Sequence, residues 1–239
     1  MRLAMWSGPR NLSTAMMYAF GNRADMHTVD EPFYGPYLRA TGLPHPMREA
    51  VLASRPEGAE AVEQALLGPI PEGKPHAYHK HMCQHMVPGI PRGVLAECKN
   101  VFLLRHPARV VASFMKGYPQ TTAADIGFAA QVELYDQVRA LGQTPVVIDS
   151  HDIRQDPDHA LRALCAALGL DWDPAMLSWP AGPKPYDGVW AAHWYASVHA
   201  STGFAGPEGP LPSLDGPSRT LADGAMDAYN TMKKHCLSL

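Results

Sequence analysis

Two short segments bring together the residue types that hold phosphate. In the first, Trp6-Ser7-Gly8-Pro9-Arg10-Asn11-Leu12-Ser13-Thr14, an apolar run gives way to a turn and then to a helical pattern. A helix N-terminus there offers unpaired N–H groups and the positive end of its dipole. Arg10 adds a fixed positive fork, and Asn11, Ser13 and Thr14 add neutral donors. Gly8 to Thr14 therefore reads as an anion cradle, although a plain Ser/Thr helix cap uses the same residues. It is not a Walker A loop, because Ser13-Thr14 stand where that loop has Gly-Lys. In the second segment, Arg105-His106-Pro107-Ala108-Arg109-Val110-Val111-Ala112-Ser113, Arg105 follows an apolar run and Ser113 lies two helical turns further on. Both suit a second phosphate, and a surface ion pair with a helix-face hydroxyl is the plainer alternative.

The elements that must position these residues are short apolar runs alternating with helical patterns. Strands are predicted at Leu3–Trp6, Met26–Val29, Ala77–Met82, Val101–Leu104 and Val146–Asp149. Helices are predicted at Leu12–Phe20, over Ala123–Leu141 and at Ala222–His235, and another from Pro157, capped by Asp156 and closed by Gly169. This order predicts an α/β fold, a three-layer parallel sheet with helices on both faces, of the P-loop nucleotide-hydrolase type. One domain over residues 1–239 is expected, with 180–222 as a Gly/Pro-rich loop or lid carrying Trp190, His193, Trp194 and Phe204.

Twenty basic and 23 acidic residues leave no broad electrostatic footprint for nucleic acid or an anionic membrane, so any bound anion needs a local site. No apolar run approaches the roughly 20 residues that span a bilayer, and the protein is expected to be cytoplasmic. Cys83, Cys98, Cys165 and Cys236 lack the paired spacing of zinc or redox sites and read as free thiols. His76, His79, His81 and His85 crowd around Cys83. A metal is the rival reading there, but no second ligand cluster appears elsewhere, and none is expected.

With both loops in view, the sequence resembles the sulfotransferase family. Pro9-Arg10-Asn11-Leu12-Ser13-Thr14 is similar to its 5′-phosphosulfate loop, Pro-Lys/Arg-Ser-Gly-Ser/Thr-Thr, with Asn-Leu replacing Ser-Gly. Arg105-x-Pro107 through Ser113 matches its 3′-phosphate stretch without a gap, and Asp149-Ser150-His151-Asp152-Ile153, Asp156-Pro157 and Leu168-Gly169 follow in the family's order. The Arg-Lys-Gly-x-x-Gly element of the cytosolic branch is missing. The resemblance is thus to a divergent bacterial-type branch, with the Pro180–Pro217 segment replacing that element.

The resemblance implies transfer of a sulfuryl group from 3′-phosphoadenosine 5′-phosphosulfate to a hydroxyl or amine of a small-molecule acceptor, without a metal. Such transfer depends on positioning and charge stabilisation. Arg10 takes the place of the lysine that neutralises the leaving phosphate. Glu31, in Asp30-Glu31-Pro32-Phe33, stands where some relatives keep a catalytic glutamate. His81 echoes the Lys-x-His element, whose histidine deprotonates the acceptor. Glu31 is favoured as the base, with His81 kept as co-catalytic or acceptor-orienting. A nucleotide or sugar kinase, disfavoured by the missing Gly-Lys, and a catalytically silent nucleotide-binding protein are the competing readings.

Overall fold

The alternating apolar runs assemble side by side. The computed structural model describes residues 1–239, with strands β1 (Arg2–Ser7), β2 (Met26–Asp30), β3 (His76–Met82), β4 (Lys99–Leu104) and β5 (Val146–Asp149). They form one sheet in the order β2-β3-β1-β4-β5, and all four pairings are parallel. Trp6 lies level with His81 and Phe102, and Asp30 with Lys80. Every strand therefore ends on one edge. From central β1 the chain runs first to β2 on one side and later to β4 on the other, and this reversal opens a crevice at that edge.

The helices are α1 (Ser13–Gly21), α2 (Tyr34–Thr41), α3 (Arg48–Ser54), α4 (Ala59–Leu67), α5 (Gly93–Glu97), α6 (Pro107–Phe114), α7 (Ala123–Ile126) and α8 (Phe128–Ala140). They continue with α9 (Ser150–Gln155), α10 (Pro157–Leu168), α11 (Ala191–Trp194), α12 (Ala196–His199), α13 (Gly216–Gly224) and α14 (Met226–Lys233). Period-2 alternation sends Leu3 and Met5 of β1 to one face and Ala4 and Trp6 to the other, and each face has its own core. On the first, Met16 and Phe20 of α1, Leu38 of α2 and Leu161 and Leu164 of α10 pack together with Trp190 and Tyr195. On the second, Val62 of α4, Val94 of α5, Val110 of α6, Leu134 and Val138 of α8 and Met232 of α14 do the same. Both faces are covered, as the strand–helix alternation predicts.

All five predicted strands are present within two residues at either end. The predicted helix over Ala123–Leu141 is divided instead. Thr122 and Asp125 form a capping box for α7, and Gly127 takes a left-handed φ of 72° before α8 starts. The break lets the Ile126–Gly127 backbone press against the first loop: a Cβ on Gly8 would lie 2.4 Å from the Ile126 carbonyl oxygen. The predicted C-terminal helix is likewise two, α13 and α14, meeting at Ala225. It docks on the domain through Tyr229 and Lys233, which donate to the Asp149 carboxylate at 2.7 and 3.0 Å. The segment 180–217 contains two single-turn helices, and α2 to α4 form where no helix is predicted. All four cysteines are free thiols.

Candidate functional site

The first loop leaves β1 and re-enters regular structure at α1 through two left-handed residues, Arg10 (φ 60°) and Leu12 (φ 72°). Leu12 immediately precedes α1 and takes a backbone conformation that glycine adopts without strain. The cradle thus keeps a glycine-type path although the glycine is gone. Asn11 does not face outward as a free donor: its amide donates to the Leu103 carbonyl at 3.1 Å and pins the loop to the end of β4. Gly8, Pro9 and Ser13 are buried, whereas Thr14 and Arg10 are half-exposed at the crevice. Arg10 rests over the Trp194 ring, 5.6 Å from its centroid. Burial, and then the neighbouring Arg105, lower the Arg10 pKa from its ordinary value.

The second loop starts at the end of β4. His106 caps α6 by accepting from the Ala108 N–H at 3.2 Å, and Pro107 opens the helix. Arg105 spans the crevice, donating to the Arg10 carbonyl at 2.6 Å and, through Nε at 3.0 Å, to the carboxylate of Glu208. Two further guanidinium groups approach that carboxylate: Arg109 of α6 at 2.9 Å and Arg154 of α9 at 3.2 Å. The Glu208 side chain is 1% exposed, and the residue sits in Gly206-Pro207-Glu208-Gly209-Pro210, which Arg154 and Arg109 also hold by donating to the Gly206 and Gly209 carbonyls. Ser113 lies half-buried one turn beyond Arg109 on α6.

Across the crevice, β2 ends in a charge network. Lys80, 1% exposed, donates to Asp30 at 3.0 Å and to Glu31 at 2.6 Å, and also reaches the Tyr195 hydroxyl. Burial alone would lower the Lys80 pKa, but the Asp30 and Glu31 carboxylates outweigh it and hold the value above that of an ordinary lysine. The Gly188 N–H and the Tyr195 hydroxyl donate to Asp30 at 3.1 and 2.9 Å. Strand alternation would send the Glu31 side chain to the face of Val29. A backbone φ of 37° turns it instead to the Lys80 face. A cavity of about 20 Å³, room for little more than one water, lies between α2, α6 and α11, lined by Tyr37, His45, Phe114, Tyr118, Asp125 and Trp194.

His81 is elsewhere. It faces the opposite side of the sheet, stacked on Trp6 at 4.3 Å and on Phe33 at 5.7 Å, and is 2% exposed. Burial, followed by His79 and His85, holds its pKa well below the ordinary histidine value. The two base candidates do not converge. Neither His79 nor His81 faces solvent, and no group of three or more His, Cys, Asp or Glu is arranged to hold a metal ion.

The profile of a sulfotransferase domain matches residues 1–236. The chain belongs to the sulfotransferase domain family. Two curated relatives from Arabidopsis thaliana, branched-chain-amino-acid aminotransferase-like proteins 1 and 2, are 36% and 34% identical over 236 residues. The match takes in 96% of this chain but 41% of each relative, so this sulfotransferase domain spans less than half the length of the proteins that bear those names. Among solved structures, the sulfotransferase domain from the curacin biosynthetic pathway aligns with a TM-score of 0.52 at 17% identity, covering 94% of this chain and 95% of that one. A sulfotransferase from Alicyclobacillus acidocaldarius aligns at 0.50 and 16%, covering 73% and 87%. At these identities the two structures establish the fold.

Five residues at this edge of the sulfotransferase domain are absent from the sequence-based site: Lys80, Tyr195, Arg109, Arg154 and Glu208. A signal for the last exists, since Glu208 is the single Asp, Glu, Lys or Arg between Asp187 and Asp215. A lone charge in an apolar, Gly/Pro-rich stretch calls for a partner wherever its own side chain is covered. Lys80 has a weaker signal, as a lysine in a strand whose neighbours on both sides are buried.

Proposed function

We propose that this sulfotransferase domain binds 3′-phosphoadenosine 5′-phosphosulfate between its two loops and transfers the sulfuryl group to a hydroxyl or amine of a small-molecule acceptor, with residues 1–239 acting as one catalytic domain. The observation that carries this reading is the cluster of Arg105, Arg109 and Arg154 around one buried carboxylate, one hydrogen bond from the Arg10 loop. Three guanidinium groups that already hold a carboxylate have the chemistry to hold a phosphate. Gly8 to Thr14 would take the 5′-side phosphosulfate, and Arg105 and Ser113 the 3′-phosphate. When bound, the nucleotide supplies an activated sulfuryl group. Arg10 and the α1 N-terminus offset the charge that develops on the leaving phosphate side.

Glu31 is the base this reading prefers. Its carboxylate is 11% exposed at the strand-end edge, and Lys80 fixes its orientation. The sealed and poorly basic His81 is a Trp6–Phe33 packing residue that shapes the wall. Lys80 and Asp30 are positioning residues for Glu31. The segment 180–222, which carries Trp194 and Tyr195, serves as the cover.

Thermal stability measured without magnesium tests the reading. 3′-Phosphoadenosine 5′-phosphate should raise the melting temperature well beyond AMP at equal concentration, because only the former engages both loops. Arg105→Ala should weaken its binding by about 1.5–3 kcal/mol, the range of a charge-assisted contact. Equal shifts from the two nucleotides would show that the arginine cluster does not hold a 3′-phosphate.

A further inference from the structure

The anion held by the arginine cluster is part of the chain itself. Arg105 leaves the end of β4, Arg109 rises from the first turn of α6 and Arg154 from the last turn of α9, so that three separate elements direct guanidinium groups at Glu208. Their side chains are 14–21% exposed while that of Glu208 is 1% exposed. The carboxylate lies beneath the arginines, within their reach, and is not a rim partner. One negative charge meets three positive ones. The Arg109 Nε approaches Glu208 Oε2 at 2.9 Å, yet that oxygen accepts no well-directed hydrogen bond. A carboxylate has two oxygens on a plane, whereas a phosphate monoester has three terminal oxygens and nearly two charges at neutral pH. The cluster matches the second better than the first in both charge and number of donors.

In the strap that carries Glu208, the residues on either side of it are exposed. Gly206-Pro207-Glu208-Gly209-Pro210 belongs to no helix or strand, and Arg154 donates to its Gly206 carbonyl and Arg109 to its Gly209 and Pro210 carbonyls. Neither Gly206 nor Gly209 has any atom within 4 Å of where a Cβ would stand. Strap and cluster are therefore joined through shared guanidinium donors, three of which reach the Glu208 carboxylate and two of which also reach strap carbonyls.

We propose that Arg109 and Arg154 join Arg105 in a three-guanidinium subsite for the 3′-phosphate of a nucleotide, and that Glu208 is an internal anion which that phosphate displaces, releasing the strap. This rests on the nucleotide-binding reading above. A nucleotide phosphate is preferred over free phosphate because Arg105 also bonds the Arg10 carbonyl, which ties the subsite to the 5′-side cradle. The exchange sets specificity as well as a threshold, since a nucleotide without a 3′-phosphate has nothing with which to displace Glu208.

Calorimetric titration of the parent, Glu208→Gln and Arg154→Ala with 3′-phosphoadenosine 5′-phosphate, AMP and inorganic phosphate tests this. Glu208→Gln should bind the bisphosphate nucleotide at least tenfold more tightly and Arg154→Ala at least tenfold more weakly, with AMP changed less than threefold in either. In the unsubstituted chain, cleavage after Glu208 by a glutamate-specific protease should accelerate on adding the bisphosphate nucleotide but not AMP, because the side chain that the protease must grip is buried until it is displaced. This arm needs no variant to fold. Slower cleavage together with unchanged or weaker binding by Glu208→Gln would make Glu208 a fixed part of the liganded site and overturn the inference while leaving nucleotide binding intact. Equal responses to millimolar phosphate and to the nucleotide would reduce the cluster to a general anion site and also overturn it. If neither parent nor variant binds the bisphosphate nucleotide, the functional reading falls, and this inference falls with it.

Discussion

At Glu31 a strained backbone and a fixed carboxylate coincide. A φ of 37° in a non-glycine residue costs on the order of 1–3 kcal/mol and persists only where its surroundings impose it. Here the Glu31 N–H still pairs with the Lys80 carbonyl at 3.0 Å, while the side chain turns onto the Lys80 ammonium. Glu31→Gln keeps an oxygen for Lys80 to bond and removes the basicity. Turnover should fall by roughly two to four orders of magnitude, with nucleotide affinity nearly unchanged. His81→Asn, measured at matched nucleotide saturation, should lower melting temperature more than rate, because it removes a ring packed between Trp6 and Phe33. A larger loss of turnover in His81→Asn than in Glu31→Gln would return the proton to the histidine.

The loop between β1 and α1 shows how an element tolerates an unexpected residue. Leu12 has a φ of 72°, a conformation that costs an ordinary residue roughly 1–2 kcal/mol, and its side chain packs against the first core. Leu12→Gly relieves the strain and loses the packing, so its stability should stay within about 1 kcal/mol of the parent. Leu12→Ile should be clearly worse, because a β-branched side chain is poorly tolerated at positive φ. Equal melting temperatures for the two variants would argue against the left-handed turn. Gly8 answers to a different constraint. A Cβ there meets the Ile126 carbonyl, a backbone atom with no rotamer to escape into. Gly8→Ala should therefore cost about 1–3 kcal/mol, as overpacking does, and weaken nucleotide binding by shifting the cradle.

Over the whole molecule, the histidines set the response to acid. His81 and His85 are held far below the ordinary histidine value by burial, first of all, and His79 is brought to about 3 by burial together with Arg2 and His27. Their folded values lie below their unfolded ones, so the unfolded chain binds more protons once the pH drops past the unfolded value. The stability they confer is complete above about pH 6.5 and is lost as pH falls from there, by about 1.4 kcal/mol per pH unit for each group. Melting temperature should decline steeply between pH 6.5 and 5, and His79→Gln should flatten that decline. An unchanged slope in the variant would show that His79 is not held neutral.

The parts of this protein written in local pattern were legible without coordinates. Apolar runs such as Val101–Leu104, the Asp156-Pro157 start and Gly169 stop of α10, and the loops ending at Ser13 and opening at Arg105 each depend on residues a few positions apart. Strand–helix alternation then implied a parallel sheet, and a parallel sheet puts both loops on one edge. What local pattern could not specify was which distant groups meet. Lys80 and Asp30 are 50 residues apart and Arg105 and Glu208 103 apart, joined by strand register in one case and by a strap folding back over the sheet edge in the other. The division of α7 from α8 at Gly127 and the turning of Glu31 away from His81 have the same origin. Periodicity fixes which side chains are buried, but a buried charge is stable only beside a counter-charge, and the packed chain supplies that partner.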